Sequence, residues 1–290
     1  MAVSPAGIVS RFAPSPTGFL HLGHAFSAIL AHDRARSVGG RFLLRIEDID
    51  TGRCRPMFVE AILEDLQWLG LAWDASPLIQ STRHPSHGAA LARLEALGLT
   101  YPCFCTRADI AAAATAPHGA SAVYPGTCRA LPRDEATARA TAGPHAIRLN
   151  VGAAEALAGH LTWEDTLRGT LPARPGHLGD VVLARKDIGV GYMLAAVVDD
   201  AAQGVTDVVR GSDLFEASHV QRLLQALLGL PAPRYLHHRL LLAADGRRLA
   251  KRDHAETLAA LRARGVSGAA LAATLRGTPA LGADCHVDVT

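Results

Sequence analysis

The first forty residues constrain the fold most, because they predict a strand, a bent loop and a helix in immediate succession. The apolar pair Ile8-Val9 indicates the strand, and two prolines and a glycine within residues 11–24 (RFAPSPTGFLHLGH) then bend the chain. The apolar residues that follow at helical spacing are Leu22, Phe26, Ile29 and Leu30. The pair Gly39-Gly40 predicts the end of this helix.

Two histidines, His21 and His24, fall where the loop becomes the helix. A helix N-terminus offers N–H groups and a partial positive charge, which suit a phosphate. Histidines at that position can also donate hydrogen bonds to charge that develops on a phosphate. Taken alone, the spacing is equally typical of surface or capping histidines, so both interpretations stay open.

The same rhythm of elements repeats further along the chain. Residues 41–46 (RFLLRI) predict a second strand, and helices are expected at about 55–70 and 83–98. The expected core positions of the first of these helices are Met57, Ala61, Leu63, Leu66 and Leu69. Alternating strands and helices predict a doubly wound parallel sheet, in which ligands bind at the carboxyl ends of the strands. Glu47 directly follows the second strand, so it is a candidate ligand residue or part of a solvated acidic turn.

Composition narrows the class of protein. The chain has 290 residues, of which 49% are hydrophobic and 19% charged, so a sizeable core is expected and disorder is not. A net charge of +2 means that nucleic-acid binding requires a local basic face. Five unevenly spaced cysteines favour reduced thiols over a disulfide framework. Neither a membrane-length apolar run nor a signal peptide is found, so a cytoplasmic enzyme is expected.

A proline- and glycine-rich region, residues 101–183, is predicted to be an insertion between two halves of the sheet. It holds Cys103, Cys105 and Cys128, three thiols that could bind Zn²⁺, a metal that prefers four ligands. His118 is the conventional fourth ligand by chemistry. Three buried, inert cysteines are the alternative.

Further strands are predicted at 146–150, 180–185 and 204–211. Tyr192 begins the segment YMLAAVVDD, where a core aromatic is the simplest interpretation. Arg210 lies at the end of a predicted strand. A lone arginine is usually a surface residue, but one at the carboxyl end of a strand is better placed to contact a ligand.

Two patterns close the chain. The spacing of Asp213 and Glu216 predicts a helix N-cap. The turn Asp245-Gly246 precedes a basic loop at 247–252 (RRLAKR) that contains Lys251 and could contact a polyanion.

Taken together, these motifs resemble the class I aminoacyl-tRNA synthetases, specifically the glutamyl branch. The tetrapeptide HLGH at 21–24 matches the first signature of that class with Leu for Ile. The loop at 247–252 aligns with the second signature, "KMSKS", but keeps only its second lysine, Lys251. The cysteine pattern, which includes Tyr124, is similar to that of short glutamyl-queuosine-type enzymes.

The resemblance implies a role for each candidate residue. The implied L-glutamate-binding residues are Arg11, Phe12, Ala13, Pro14, Ser15, Glu47, Tyr192 and Arg210. The implied ATP-binding residues are His21, Gly23, His24 and Lys251, of which the catalytic ones are His21, His24 and Lys251. The implied ligands of a structural Zn²⁺ are Cys103, Cys105, Tyr124 and Cys128, with His118 as the alternative fourth ligand. Mg²⁺ is expected with ATP. Two guanidiniums, Arg11 and Arg210, suit the two carboxylates of an acidic amino acid.

The implied architecture is an α/β, Rossmann-like catalytic core. Its first half is expected at 1–100, a zinc-containing, acceptor-binding insertion at 101–183, and its second half at 184–240. The signature loop and C-terminal helices are expected at 241–290, without an anticodon-binding domain.

The implied activity is ATP-dependent, tRNA-independent activation of L-glutamate and its transfer to the queuosine base of tRNA(Asp). A monomer that does not bind membranes is expected. The alternatives are a general glutamyl-tRNA synthetase without an anticodon domain and a non-catalytic tRNA- or zinc-binding paralogue.

Overall fold

The computed structural model describes residues 7–106, 108–110, 123–242, 256–282 and 285–286. The strands are β1 (Val9–Phe12), β2 (Arg41–Ile46), β3 (Leu78–Ile79), β4 (Thr100–Cys103), β5 (Ala146–Leu149), β6 (Thr162–Asp165), β7 (Gly169–Pro172), β8 (Val182–Arg185), β9 (Gly189–Val190), β10 (Asp207–Gly211), β11 (Arg234–His238), β12 (Leu241–Leu242) and β13 (Cys285–His286). Seven of them form the main sheet in the order β3-β2-β1-β10-β11-β6-β7. All neighbours in it are parallel except the β6–β7 hairpin, so the predicted doubly wound sheet is confirmed.

The helices are α1 (Leu22–Arg36), α2 (Pro56–Trp68), α3 (His84–Ala96), α4 (Arg133–Ala142), α5 (Val151–Ala158), α6 (Tyr192–Ala202), α7 (Phe215–Leu227), α8 (Leu258–Ala263) and α9 (Gly268–Gly277). The helices predicted at about 55–70 and 83–98 are found as α2 and α3. The N-cap predicted at Asp213 and Glu216 is wrong. A 3-10 turn at Ser212–Leu214 precedes α7, and Leu214 occupies the N-cap without a side-chain hydrogen bond.

Helix α1 has the apolar face that its spacing predicts. Phe26 and Ile29 are fully buried, in the main core beneath the sheet. Gly39 has a φ of +67°, a conformation that favours glycine after a helix. A Cβ on Gly40 would lie 2.2 Å from the carbonyl oxygen of Ile8, so only glycine lets the chain pass there into β2.

The strand order reverses between β1 and β10, and this reversal positions the site. From β1 the chain proceeds to β2 and β3 on one side, whereas β10 leads to β11 on the other. The carboxyl ends of these parallel strands share one edge of the sheet. A crevice opens at such a switch point, and ligands bind there.

The region predicted as an insertion contributes to two sheets. Strands β4, β5, β8 and β9 form a separate antiparallel sheet in that order. The β6–β7 hairpin, which lies wholly within 101–183, instead extends the main sheet by pairing with β11. The division of the chain into domains stays a prediction. Within the described ranges, every helix is too short or too polar to cross a bilayer.

Candidate active site and metal centre

A cavity of about 650 Å³ opens at the switch point of the sheet. Eleven of the predicted ligand-binding residues line it: Arg11, Phe12, Ala13, Pro14, Ser15, His21, Gly23, His24, Glu47, Tyr192 and Arg210. They converge because they lie in or directly after β1, β2 and β10, or at the starts of α1 and α6. Lys251, the remaining predicted residue, lies outside the described residues.

The two histidines cap α1. The N–H of Gly23 donates to Nδ1 of His21 at 3.1 Å, and the N–H of His21 donates to Nδ1 of His24 at 3.2 Å. The two ring centroids are 3.8 Å apart. Because both Nδ1 atoms accept, each neutral ring carries its proton on Nε2. The helix N-terminus therefore presents two imidazole donors, an arrangement suited to phosphate oxygens.

A buried network of four charges lies at the ends of β1 and β2. Nε of Arg11 and Nη1 of Arg45 donate to Oδ1 of Asp200 at 3.0 and 2.6 Å. Nη2 of Arg45 donates to Oε1 of Glu47 at 3.1 Å. The two guanidiniums balance the two carboxylates, so the network holds Arg11 and Glu47 at the cavity wall without a net charge.

The pKa shifts in this network follow from burial and pairing. Burial alone would raise the pKa of Asp200, but Arg11 and Arg45 hold it at about 2. Burial raises the pKa of Glu47, although Arg45 and Arg11 oppose the shift. An ammonium group placed against Glu47 would favour its ionised form.

Arg210 faces the same cavity and is held on three sides. Its Nε donates to Nε2 of His237 at 3.1 Å, and its Nη2 donates to Oγ of Ser218 at 2.6 Å. Its Nη1 donates to the hydroxyl of Tyr192 at 3.3 Å. Arg210 and Tyr192, which the sequence analysis treats as separate candidates, thus form one hydrogen-bonded pair at the cavity wall.

A second cavity of about 350 Å³ adjoins the first. Ser15, Glu47 and Tyr192 line both cavities. The second cavity is also lined by Arg53 and Arg185, whose side chains are 67% and 38% exposed and both pair with Asp50. It therefore joins the pocket wall to a surface that carries two arginines in ion pairs.

Several residues of the site were not assigned a role from the sequence. Arg45, Asp200, Ser218 and His237 hold the side chains described above, and His238 lines the first cavity. The hydroxyl of Ser27 lies 2.6 Å from Nε2 of His238, next to α1. Their positions in the sequence could have indicated a role. Asp200 lies in the segment that begins with Tyr192, and His237 and His238 are the last two residues of β11.

The three predicted cysteine ligands form a cluster that could hold a metal ion. The sulfurs of Cys103, Cys105 and Cys128 all lie within 4.8 Å of one another, and those of Cys105 and Cys128 are 3.5 Å apart. A tetrahedral zinc site with Zn–S bonds of about 2.3 Å separates its sulfurs by about 3.8 Å, so the cluster fits such an ion closely.

Tyr124 lies beside these thiols. Its hydroxyl is 3.8 Å from Sγ of Cys105 and accepts the N–H of Cys128 at 2.8 Å. The guanidinium of Arg148 lies 3.8 Å from the centroid of the Tyr124 ring. The oxygen thus lies close enough to the thiols to be a fourth ligand. Burial and the neighbouring thiols raise the pKa of the Tyr124 hydroxyl, so a bound metal ion would have to displace its proton. The alternative ligand, His118, lies outside the described residues.

The thiols differ in acidity. Burial raises the pKa of Cys105 to about 11. Burial acts in the same direction on Cys128, but hydrogen bonds from Tyr124 and from the N–H of Phe104 outweigh it and lower the pKa.

Comparison with known proteins gives consistent matches across the chain. The family model for the catalytic domain of class I tRNA synthetases (E and Q) matches residues 7–283. A protein of Rhodobacter capsulatus named glutamyl-Q tRNA(Asp) synthetase is 50% identical over 274 residues, which are 90% of this chain and 97% of that protein. A protein of the same name from Symbiobacterium thermophilum is 47% identical over 90% of this chain and 83% of that protein.

Solved structures share the fold. The crystal structure of a glutamate tRNA ligase from Elizabethkingia meningosepticum, in complex with its amino acid, superposes with a TM-score of 0.70 and 30% identity. The match covers 85% of this chain and 52% of that ligase, so this chain spans about half of its length.

Proposed function

The chain belongs to the class I tRNA synthetases of the glutamate and glutamine branch, and from this premise we propose that it activates L-glutamate with ATP and transfers it to the queuosine base of tRNA(Asp). The observation that carries the proposal is the first cavity, which joins the histidine-capped helix to a pocket of paired arginines and a buried carboxylate. The acceptor is taken from the name of the two relatives, glutamyl-Q tRNA(Asp) synthetase.

The charges around the pocket suit glutamate. Glu47 is a fixed partner for the α-ammonium group. Arg210, with the Tyr192 hydroxyl beside it, takes the side-chain carboxylate, and Arg11, held by Asp200, is a second guanidinium that lines the cavity. Guanidinium groups select a carboxylate over an amide because they only donate hydrogen bonds.

The start of α1 suits the ATP phosphates. The Nε2 donors of His21 and His24 lie at a helix N-terminus, where developing phosphate charge is stabilised. Lys251 adds a positive charge in this proposal. The described residues on either side of its loop lie close to the start of α1. Leu241 lines the first cavity, and Thr257 forms a β-bridge with His21. Mg²⁺ accompanies ATP and would offset the phosphate charge.

Two displacement steps complete the reaction. An α-carboxylate oxygen of glutamate attacks the α-phosphorus of ATP, which forms glutamyl-adenylate and releases pyrophosphate. A hydroxyl of the acceptor base then attacks the glutamyl carbonyl, loses its proton and releases AMP. The protein contributes position and charge stabilisation, with no covalent enzyme intermediate.

The second cavity is our candidate for the acceptor's approach. It meets the glutamate pocket at Ser15, Glu47 and Tyr192, so a base held there would reach the activated amino acid. Arg53 and Arg185 at its rim suit the phosphates of the surrounding RNA strand, as positively charged side chains do in nucleic-acid sites.

Glutamate-dependent exchange of pyrophosphate into ATP, measured without any RNA, tests the activation step. We expect exchange with glutamate and little with glutamine or aspartate. Absence of exchange in the metal-loaded protein would contradict an enzymatic role and favour a non-catalytic binding paralogue.

We propose that the cysteine cluster binds a structural Zn²⁺, and expect about one ion per chain because such sites close at four ligands. Cys128→Ser should lose the ion and lower the melting temperature, since metal binding adds to folding stability. Cys285→Ser, outside the cluster, is the matched control and should keep both.

Metal analysis of the freshly purified, unchelated protein gives the answer, and absence of zinc would contradict the proposal. The fourth ligand is decided by two further variants. Loss of zinc affinity in Tyr124→Phe supports Tyr124, whereas loss in His118→Ala alone assigns the position to His118.

A further inference from the structure

A buried hydrogen-bonded chain runs behind the glutamate pocket, from β6 through β11 to β10. Oδ2 of Asp165 lies 2.7 Å from Nδ1 of His237, and Nε2 of His237 accepts from Nε of Arg210 at 3.1 Å. Asp165 and His237 are 1% and 0% exposed. Neither Asp165 nor His237 lines either of the two cavities described above. This series of hydrogen bonds therefore reaches the pocket through Arg210.

The partners of His237 determine its tautomer. Arginine cannot accept a hydrogen bond, so Nε2 of His237 must be unprotonated where it meets Arg210. The proton therefore lies on Nδ1, where it is donated to Asp165. Burial lowers the pKa of His237 to about 4, with Asp165 opposing the shift and Arg210 adding to it, which agrees with a neutral ring.

Asp165 is itself held in one orientation. Its Oδ1 accepts the N–H groups of Leu167 and Arg168 at 2.9 and 3.1 Å. Its Oδ2 faces both the backbone N–H and Nδ1 of His237. Because only an acceptor satisfies these donors, the carboxylate stays ionised and keeps the proton of His237 on Nδ1.

The guanidinium of Arg210 is fixed by hydrogen bonds along one of its edges. Nε and Nη2 lie on the same edge of the planar group, and they donate to His237 and to Ser218. The Oγ of Ser218 also lies 3.0 Å from Nε2 of His237, which ties the two acceptors together. The opposite side of the group, at Nη1, is left directed to the Tyr192 hydroxyl and the cavity.

We infer that His237, held by Asp165, is a positioning residue that orients Arg210 to select glutamate over glutamine. The inference rests on the proposed function, in which Arg210 receives the side-chain carboxylate. Without an acceptor at Nε2, Arg210 can rotate, and its donors no longer exclude an amide that offers its own N–H groups.

The test compares His237→Phe, which removes the acceptor, with His237→Gln, which supplies an amide oxygen in its place. Arg210→Ala is measured beside them. His219→Phe is the matched control, because His219 is also buried beside Trp163 but accepts from the Trp163 indole and the backbone N–H of Arg174 instead of from Arg210. RNA-free pyrophosphate exchange yields the KM values for glutamate and ATP and the preference for glutamate over glutamine.

His237→Phe should raise the KM for glutamate on the order of tenfold to a hundredfold, the value of a hydrogen bond to a charged group. The preference for glutamate should fall and the KM for ATP should not change, while His237→Gln recovers part of the loss. The control variant, His219→Phe, should have a lower melting temperature than the unaltered protein but the same KM values for glutamate and ATP.

An unchanged KM for glutamate in His237→Phe, or an equal rise in His219→Phe, overturns the inference while the proposed function stands. An unchanged KM in Arg210→Ala, or no exchange by the unaltered protein, overturns the proposed glutamate site itself.

A measurement on the unaltered protein covers the case in which His237→Phe does not fold. Nitrogen-15 NMR of the histidine rings at neutral pH should show His237 protonated on Nδ1 only. A proton on Nε2 contradicts the inference.

Discussion

Replacing Asp200 by alanine is expected to lower the free energy of unfolding by about 3–5 kcal/mol, the cost of breaking a buried ion pair by removing one partner. Asp200 accepts from both Arg11 and Arg45, and Arg45 is 0% exposed. Without Asp200 the network keeps two guanidiniums and only one carboxylate. Denaturant unfolding at neutral pH measures the loss.

The pH dependence of this loss is specific to Asp200. Its pKa is about 2 in the folded chain and about 4 when unfolded, so its contribution is complete above pH 4 or so and disappears as the pH falls toward 2. The difference between Asp200→Ala and the unaltered protein should therefore narrow below about pH 4.

Asp187→Ala is the control for removing a carboxylate that pairs with an arginine. Asp187 pairs with Arg185 at the surface, where its side chain is 50% exposed, so little change in stability is expected. Equal losses in the two variants would show that the buried network does not stabilise the fold as we describe.

Replacing His24 by alanine is expected to slow adenylate formation on the order of a hundredfold to a thousandfold, as loss of one preorganised donor does. The KM for glutamate should change little, because the proposed partners of glutamate are Arg210 and Glu47 and not His24. Lys251→Ala is expected to show a loss of the same size. The rate of RNA-free pyrophosphate exchange measures both.

His32→Ala controls for a change within the same helix. His32 lies in α1 but contacts Asp33 and Phe42 instead of the cavity, so it should leave the exchange rate unchanged. A near-normal rate in His24→Ala would contradict the role of the capped helix N-terminus in binding the transferring phosphate.

The convergence of the pocket residues could be predicted from the sequence, because the rule that places them is local. Glu47 and Arg210 come at or just after the ends of predicted strands, and parallel strands end at a common edge. The histidines come at a predicted helix start, where the structure places His21 as N-cap.

The buried contacts that hold the pocket residues in place could not be predicted from local sequence patterns. Arg45 and Asp200 are 155 residues apart, and Asp165 and His237 are 72 apart. Their contacts depend on the order of strands in the sheet, which periodicity does not encode. No local pattern indicates that β6, from within the predicted insertion, pairs with β11.

Two local predictions were wrong for physical reasons. Met57 has the spacing of a core residue, but it lies in the first turn of α2 and is 55% exposed. Asp213 has the spacing of an N-cap, but a 3-10 turn shifts the start of α7 beyond it.

The acceptor of glutamate tests the central claim most directly. The protein is incubated with ATP, labelled glutamate and tRNA(Asp), either containing queuosine or transcribed without it, and with tRNA(Glu). We predict label on the queuosine-containing tRNA(Asp) alone, and that label should survive removal of the 3′-terminal adenosine. Efficient charging of unmodified tRNA(Glu) at its 3′ end would contradict the account and identify a general glutamyl-tRNA synthetase.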